Sequence, residues 1–182
     1  LGSNGCGKTT LLRIIFGELK PTMKSLRINS KSIRYPFLQS DNIKFLPQFH
    51  FIPNSLKVKA AFASFNVSFE NFTTDFPSLA VLENQRFKTL SGGEKRIIET
   101  YLILCSTSKF ILLDEPFSHI AAVYVEKIIE LIHREKQQKA IIVTDHLYKH
   151  IITISDTIYL LKDGWIKQIK NKNDLIFHNY IY

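Results

Sequence analysis

The chain has 182 residues, 45% of them apolar, and a formal net charge of +8, which is enough for one domain with its own core. No apolar run approaches the roughly 20 residues that cross a bilayer. The two cysteines, Cys6 and Cys105, are too few for a disulfide framework or a zinc site and imply a reducing compartment.

The excess charge is uneven: residues 1–60 hold ten Lys and Arg against two Asp and Glu, and residues 61–182 are neutral. A basic segment suits a solvated face, nucleotide phosphates, acidic headgroups or nucleic acid, and charge does not choose among them. In that segment Gly2-Ser3-Asn4-Gly5-Cys6-Gly7-Lys8-Thr9-Thr10 fits the phosphate-binding pattern G-x-x-x-x-G-K-[ST]. Its glycines let backbone N–H groups approach a polyphosphate. The helix starting at Lys8 adds its positive end, Lys8 a mobile cation and Thr9 a hydroxyl for Mg²⁺. Such a motif occurs by chance in roughly one chain per hundred or more of this length, so the other segments must support it.

Leu11, Leu12, Ile15 and Phe16 continue the helix, and Gly17 and Pro21 stop it. Residues 25–28 read as a strand, as does Ile43-Lys44-Phe45-Leu46, which ends at Pro47-Gln48. The Phe- and Asn-rich block 49–89 reads as a mostly helical insert, with a helix from Val58 to Phe65 and aromatics that serve as core. Leu90-Ser91-Gly92-Gly93-Glu94 then opens a helix whose stripe is Ile97, Ile98, Tyr101, Leu102 and Cys105. Its adjacent glycines offer a second anion site at a helix N-terminus.

The apolar run Phe110–Leu113 ends in Asp114-Glu115. It suits a parallel strand buried on both faces, with its carboxylates in the ligand crevice of an open α/β sheet. Val125, Ile128, Ile129 and Ile132 mark an amphipathic helix. Ala140–Val143 is expected to be another buried strand, ending at Thr144-Asp145-His146. Thr157–Leu161, Asp163-Gly164 and Trp165–Ile169 read as a hairpin, and a short helix near 173–178 closes the chain.

Taken in order, Gly2–Thr10, Gln48, Leu90–Glu94, Asp114-Glu115 and His146 resemble the signatures of ATP-binding cassette (ABC) ATPases: Walker A, Q-loop, LSGG signature, Walker B with its glutamate, and switch histidine. Glu115-Pro116-Phe117 and Thr144-Asp145-His146 are also similar to the ATPases of lipopolysaccharide export and branched-chain amino-acid import. The resemblance implies an α/β P-loop fold with a mostly parallel sheet and a helical subdomain at about 49–107. It implies that Ser3, Asn4, Gly5, Cys6, Gly7, Lys8, Thr9 and Thr10 bind ATP, and that Thr9, Gln48 and Asp114 hold Mg²⁺. Glu115 would polarise the attacking water, with His146 on the γ-phosphate. Ser91, Gly92, Gly93 and Glu94 would meet the ATP of a second, head-to-tail ATPase subunit. Mg²⁺ and an exposed site are expected to keep Asp114 and Glu115 both ionised.

The implied function is ATP hydrolysis driving transport through a separate integral membrane subunit, from the cytoplasmic face of the membrane. A nucleic-acid ATPase of the same superfamily is the alternative. Its coiled coil between Walker A and the signature has no counterpart in the 81 residues between Lys8 and Leu90. A non-hydrolysing subunit is disfavoured by Glu115 and His146, and a translation-factor cassette by the lack of a tandem copy. Two departures stand out. Ala121 occupies the position where the family pattern has aspartate. The chain opens on Leu1 with no initiator methionine, so it is expected to lack the preceding strands with their adenine-stacking aromatic, and not to be a competent ATPase alone.

Overall fold

β4 (Phe110–Asp114) is the middle strand of a three-stranded parallel sheet, flanked by β3 (Ile43–Leu46) and β5 (Ala140–Thr144). The computed structural model describes residues 1–28, 30–33, 35–36, 42–177 and 180. In β4 successive side chains alternate between two covered faces. Leu112 meets Leu12 of α1 (Lys8–Phe16) and Ile43, whereas Ile111 and Leu113 belong to the larger core. That core is built on α4 (Gly92–Leu104) and α5 (Ala122–Glu135), including Ile128 and Ile132.

The path from β3 to β4 runs through α2 (Val58–Phe65), α3 (Phe69–Asp75), short 3-10 turns at Pro77–Leu82 and Phe87–Thr89, and α4. Most of its aromatics are core, as expected, although Phe49 is exposed. Phe62, Phe72 and Phe76 are buried around Tyr101, with the Phe72 and Tyr101 centroids 5.0 Å apart at 75°, the edge-to-face arrangement that aromatic quadrupoles favour. This second wall changes α4. Its expected one-sided stripe is too narrow, because every residue from Arg96 to Leu104 is buried between the aromatic cluster and the sheet. Cys105 lies just beyond the helix, as its half-buried C-cap.

β5 also departs from expectation. Ala140 is exposed and Ile142 is 45% exposed, so this strand is not buried on both faces. Among the described residues it pairs only with β4, and its other edge borders a groove of about 570 Å³ lined by Leu1, Leu12, Ile15, Ile154 and Ile158. Across the groove stands the hairpin of β6 (Ile158–Lys162) and β7 (Trp165–Ile169). Asp163 and Gly164 both have positive φ, 48° and 78°, the turn geometry expected from Asp-Gly. Leu1 lies beside β6: its nitrogen donates to the Tyr159 carbonyl (2.7 Å) and its carbonyl accepts from Leu161 (2.9 Å).

The strand expected over 25–28 shortens to β1 (Arg27–Ile28), which pairs antiparallel with β2 (Lys31–Ser32). Just before the paired residues the Leu26 carbonyl still accepts from the Ile33 N–H (2.9 Å). Between β5 and β6 runs α6 (Tyr148–Ile154), and α7 (Lys172–Phe177) follows the hairpin. Residue 178 of the expected closing helix is outside the described residues.

Candidate functional site

α1 begins with an open N-terminus. Gly7 precedes it at φ 103°, no side chain caps it, and its first turn contains no acid. A non-glycine residue at that φ would be strained, so the sequence fixes both the sharp turn and the free N–H groups behind it. Lys8 is buried, and its Nζ donates to the carbonyls of Gly2 (2.7 Å) and Ser3 (3.0 Å), closing the loop on itself. Ser3, Asn4 and Gly5 are exposed, and Cys6 and Thr9 half-buried. A loop that bends around its own lysine, in front of an uncapped helix, can take a polyphosphate.

The second cluster gathers on Glu115, immediately past β4. Gln48 Nε2 donates to Glu115 Oε2 (2.9 Å), Ser118 Oγ donates to the same oxygen (3.2 Å), and His146 Nδ1 lies 3.9 Å from it. The parallel register explains the meeting: β3, β4 and β5 end side by side, so residues just past each strand share one end of the sheet. Glu115 has φ 53°, a left-handed conformation that costs a non-glycine residue about 1–3 kcal/mol. Its N–H is held by the Thr144 carbonyl (2.8 Å).

Asp114 is fully buried, not exposed as expected, because Arg96 and β5 cover the end of β4. Its Oδ1 accepts from Thr144 Oγ1 (2.6 Å), while its buried Oδ2 has no hydrogen-bond donor among the described residues. An orphaned anionic acceptor is what a hydrated cation would satisfy, so the residues present fit Mg²⁺. Asp145 is also buried. Burial pushes its carboxyl up, opposed by the Leu147 N–H (2.8 Å) and the neighbouring His146.

The structure therefore brings Gln48, Glu115 and His146 together. The signature stands apart: Ser91 accepts from the Glu94 N–H (3.2 Å), and Glu94 Oε2 accepts from the Ser91 N–H (2.7 Å). Among the described residues no hydrogen bond joins residues 91–94 to the loop 2–9. A side chain on Gly93 would come within 2.8 Å of the His119 carbonyl, so the signature needs glycine there for close approach.

Two buried residues on α4 escaped the sequence reading. Arg96 is 2% exposed and reaches the carbonyls of Pro47, Asp114 and Glu115. Burial lowers its proton affinity, and the carboxylates of Glu99, Asp114, Asp145 and Glu115 oppose that. Glu99 is fully buried and accepts from His50 Nδ1 (2.8 Å) and from the N–H groups of Phe51 (3.0 Å) and Ile52 (3.3 Å). The available signal was two opposite charges three residues apart, Arg96 and Glu99, flanking the apolar pair Ile97-Ile98.

The description of the family that matches residues 1–118 is ABC transporter. The chain belongs to the ABC transporter family. It is an ATPase, the ATP-binding subunit type of that family. Its relatives include the high-affinity branched-chain amino acid transport ATP-binding protein BraG of Pseudomonas aeruginosa, 25% identical over 91% of this chain and 77% of that protein. Another is the molybdate import ATP-binding protein MolC of Haemophilus influenzae, 25% identical over 98% of this chain and 73% of that protein. Among solved structures, an ATP-binding subunit of an ABC transporter superposes with a TM-score of 0.79 at 17% identity, over 99% of this chain and 80% of that one. That likeness establishes the P-loop α/β fold. No helix among the described residues is long and apolar enough to cross a membrane.

Proposed function

We propose that this chain binds Mg-ATP through Ser3–Thr10 and hydrolyses it at Glu115, powering transport through a separate integral membrane subunit at the cytoplasmic face. Relatives named for branched-chain amino acid transport and molybdate import support transport as the work done. The observation that carries the reading is the convergence of Gln48, Ser118 and His146 on one carboxylate oxygen of Glu115, one residue beyond the buried Asp114.

The chemistry follows from phosphoryl transfer, which needs positioning and charge neutralisation more than covalent help. Lys8, freed from the Gly2 and Ser3 carbonyls, balances the β- and γ-phosphate charge. Glu115 accepts the hydrogen bond of the attacking water, and Gln48 and His146 fix its orientation, with His146 facing the γ-phosphate. Thr9, Gln48 and, through water, Asp114 would hold Mg²⁺, which neutralises the phosphate oxygens when bound.

Residues 49–107 serve as the helical subdomain, which together with Gln48 receives the membrane subunit. Ser91, Gly92, Gly93 and Glu94 face the ATP of a second ATPase subunit in a head-to-tail dimer. Replacing the base tests the assignment: Glu115→Gln is expected to retain Mg-ATP binding while turnover falls at least about a hundredfold. Binding by nucleotide titration and turnover by phosphate release are read on the same sample. Undiminished turnover would place the base elsewhere.

A further inference from the structure

Arg96 has an environment that stability alone does not explain. A guanidinium that is 2% exposed is costly to desolvate, and an apolar side chain of similar volume often serves a core as well or better. Its hydrogen-bond partners are main-chain carbonyls. Nη1 donates to Pro47 (2.6 Å), and Nη2 donates to Asp114 and to Glu115 (2.8 Å). Pro47 is the residue before Gln48, and Asp114 is the last residue of β4.

One planar fork thus holds the backbone on both sides of the Gln48–Glu115 hydrogen bond. It also grips the carbonyl of Glu115 itself, the residue in left-handed conformation. A strained conformation persists only where its surroundings over-determine it, and Arg96 supplies that constraint from outside the loop. A lysine could not reproduce it, because an ammonium is a point charge without the fixed fork.

We infer that Arg96 is a positioning residue for ATP hydrolysis: it sets the backbone from which Gln48 and Glu115 present their side chains, and so ties the water-polarising carboxylate to the signature helix. This rests on the assignment of Glu115 as the base. The link to the signature is short. Arg96 lies five residues after the Ser91 cap of α4, and Gly93 of the same helix end packs against the His119 carbonyl. A shift of α4 on meeting a second subunit therefore moves the carbonyls of Asp114 and Glu115 with it. Arg96 acts through backbone and never touches nucleotide.

The test is steady-state Mg-ATP hydrolysis by the full-length protein, normalised to nucleotide sites titrated with a fluorescent ATP analogue. The unmodified protein is compared with Arg96→Gln, Arg96→Lys, Glu115→Gln and the Arg96→Gln/Glu115→Gln double variant. Misplacing the base should lower kcat of Arg96→Gln about tenfold to a hundredfold, with KM for ATP close to that of the unmodified protein. Arg96→Lys should recover part of the loss. In the Glu115→Gln background Arg96→Gln should add no further loss, since both act on one group. The proposal is overturned by an unchanged kcat per site, by losses that add in full, or by failure of both single Arg96 variants to give nucleotide-binding protein, which would make Arg96 a stability residue. Normal turnover in Glu115→Gln would instead overturn the assignment of the base.

Discussion

Two helices of this chain begin at closely spaced glycines, just before Lys8 in one and as the first two residues in the other, and they end up opposite in character. α1 starts after Gly5-Cys6-Gly7 with no side-chain cap and no acid in its first turn. α4 starts after Ser91, whose hydroxyl and N–H exchange hydrogen bonds with Glu94 in a complete capping box. The first end keeps its N–H groups and its positive pole available, with Lys8 buried beside it. The second satisfies itself and places a carboxylate over its own pole. Glycine at a helix start is thus not a sufficient mark of an anion site. Who occupies the cap position decides, and at α4 an anion would have to displace Glu94 or arrive with a partner surface.

The contrast can be broken at its stronger end first. Lys8→Ala should weaken nucleotide binding about tenfold to a hundredfold, the worth of a hydrogen bond to a charged group, as read by nucleotide titration. Affinity unchanged from the unmodified protein would mean that the open end of α1 does not take the phosphates. Glu94→Ala opens the other end. It should lower stability by about 1 kcal/mol while leaving the nucleotide affinity of a single subunit as it was. Thermal unfolding and the same titration check both halves, and a fall in single-subunit affinity would contradict the separation of α4 from the phosphate loop.

The smallest change adds a cap where none exists. Ala121 sits at the N-cap of α5 in extended conformation (φ −65°, ψ 144°), makes no side-chain cap, and is followed by a first turn without acids. Ala121→Asp should provide the missing acceptor and stabilise by about 1 kcal/mol, which for a domain of this size raises Tm by roughly 2–4 °C. An unchanged or lower Tm would show that the aspartate side chain cannot reach the N–H groups of α5.

The order of elements along the chain was legible from local pattern. β3, α2 and β4 begin where hydrophobic period and Gly or Pro punctuation put them, and the Asp163-Gly164 turn adopted the geometry its dipeptide favours. So were the phosphate-loop glycines, because a positive φ at Gly7 is a one-residue requirement that the sequence states directly. Tertiary structure decided the rest. α4 is buried all round because an aromatic cluster from α2 and α3 meets its far side, and no periodicity within α4 encodes that neighbour. β5 is half-open because its second edge has no strand partner among the described residues, although Ala140–Val143 reads as apolar as Phe110–Leu113. Arg96 and Glu99 look like surface charges in one dimension. Only packing shows that one grips the carbonyls under Glu115 and the other the N–H groups of Phe51 and Ile52. A sequence carries the local cost of each conformation residue by residue, whereas the worth of a buried charge depends on which distant backbone comes within three ångströms of it.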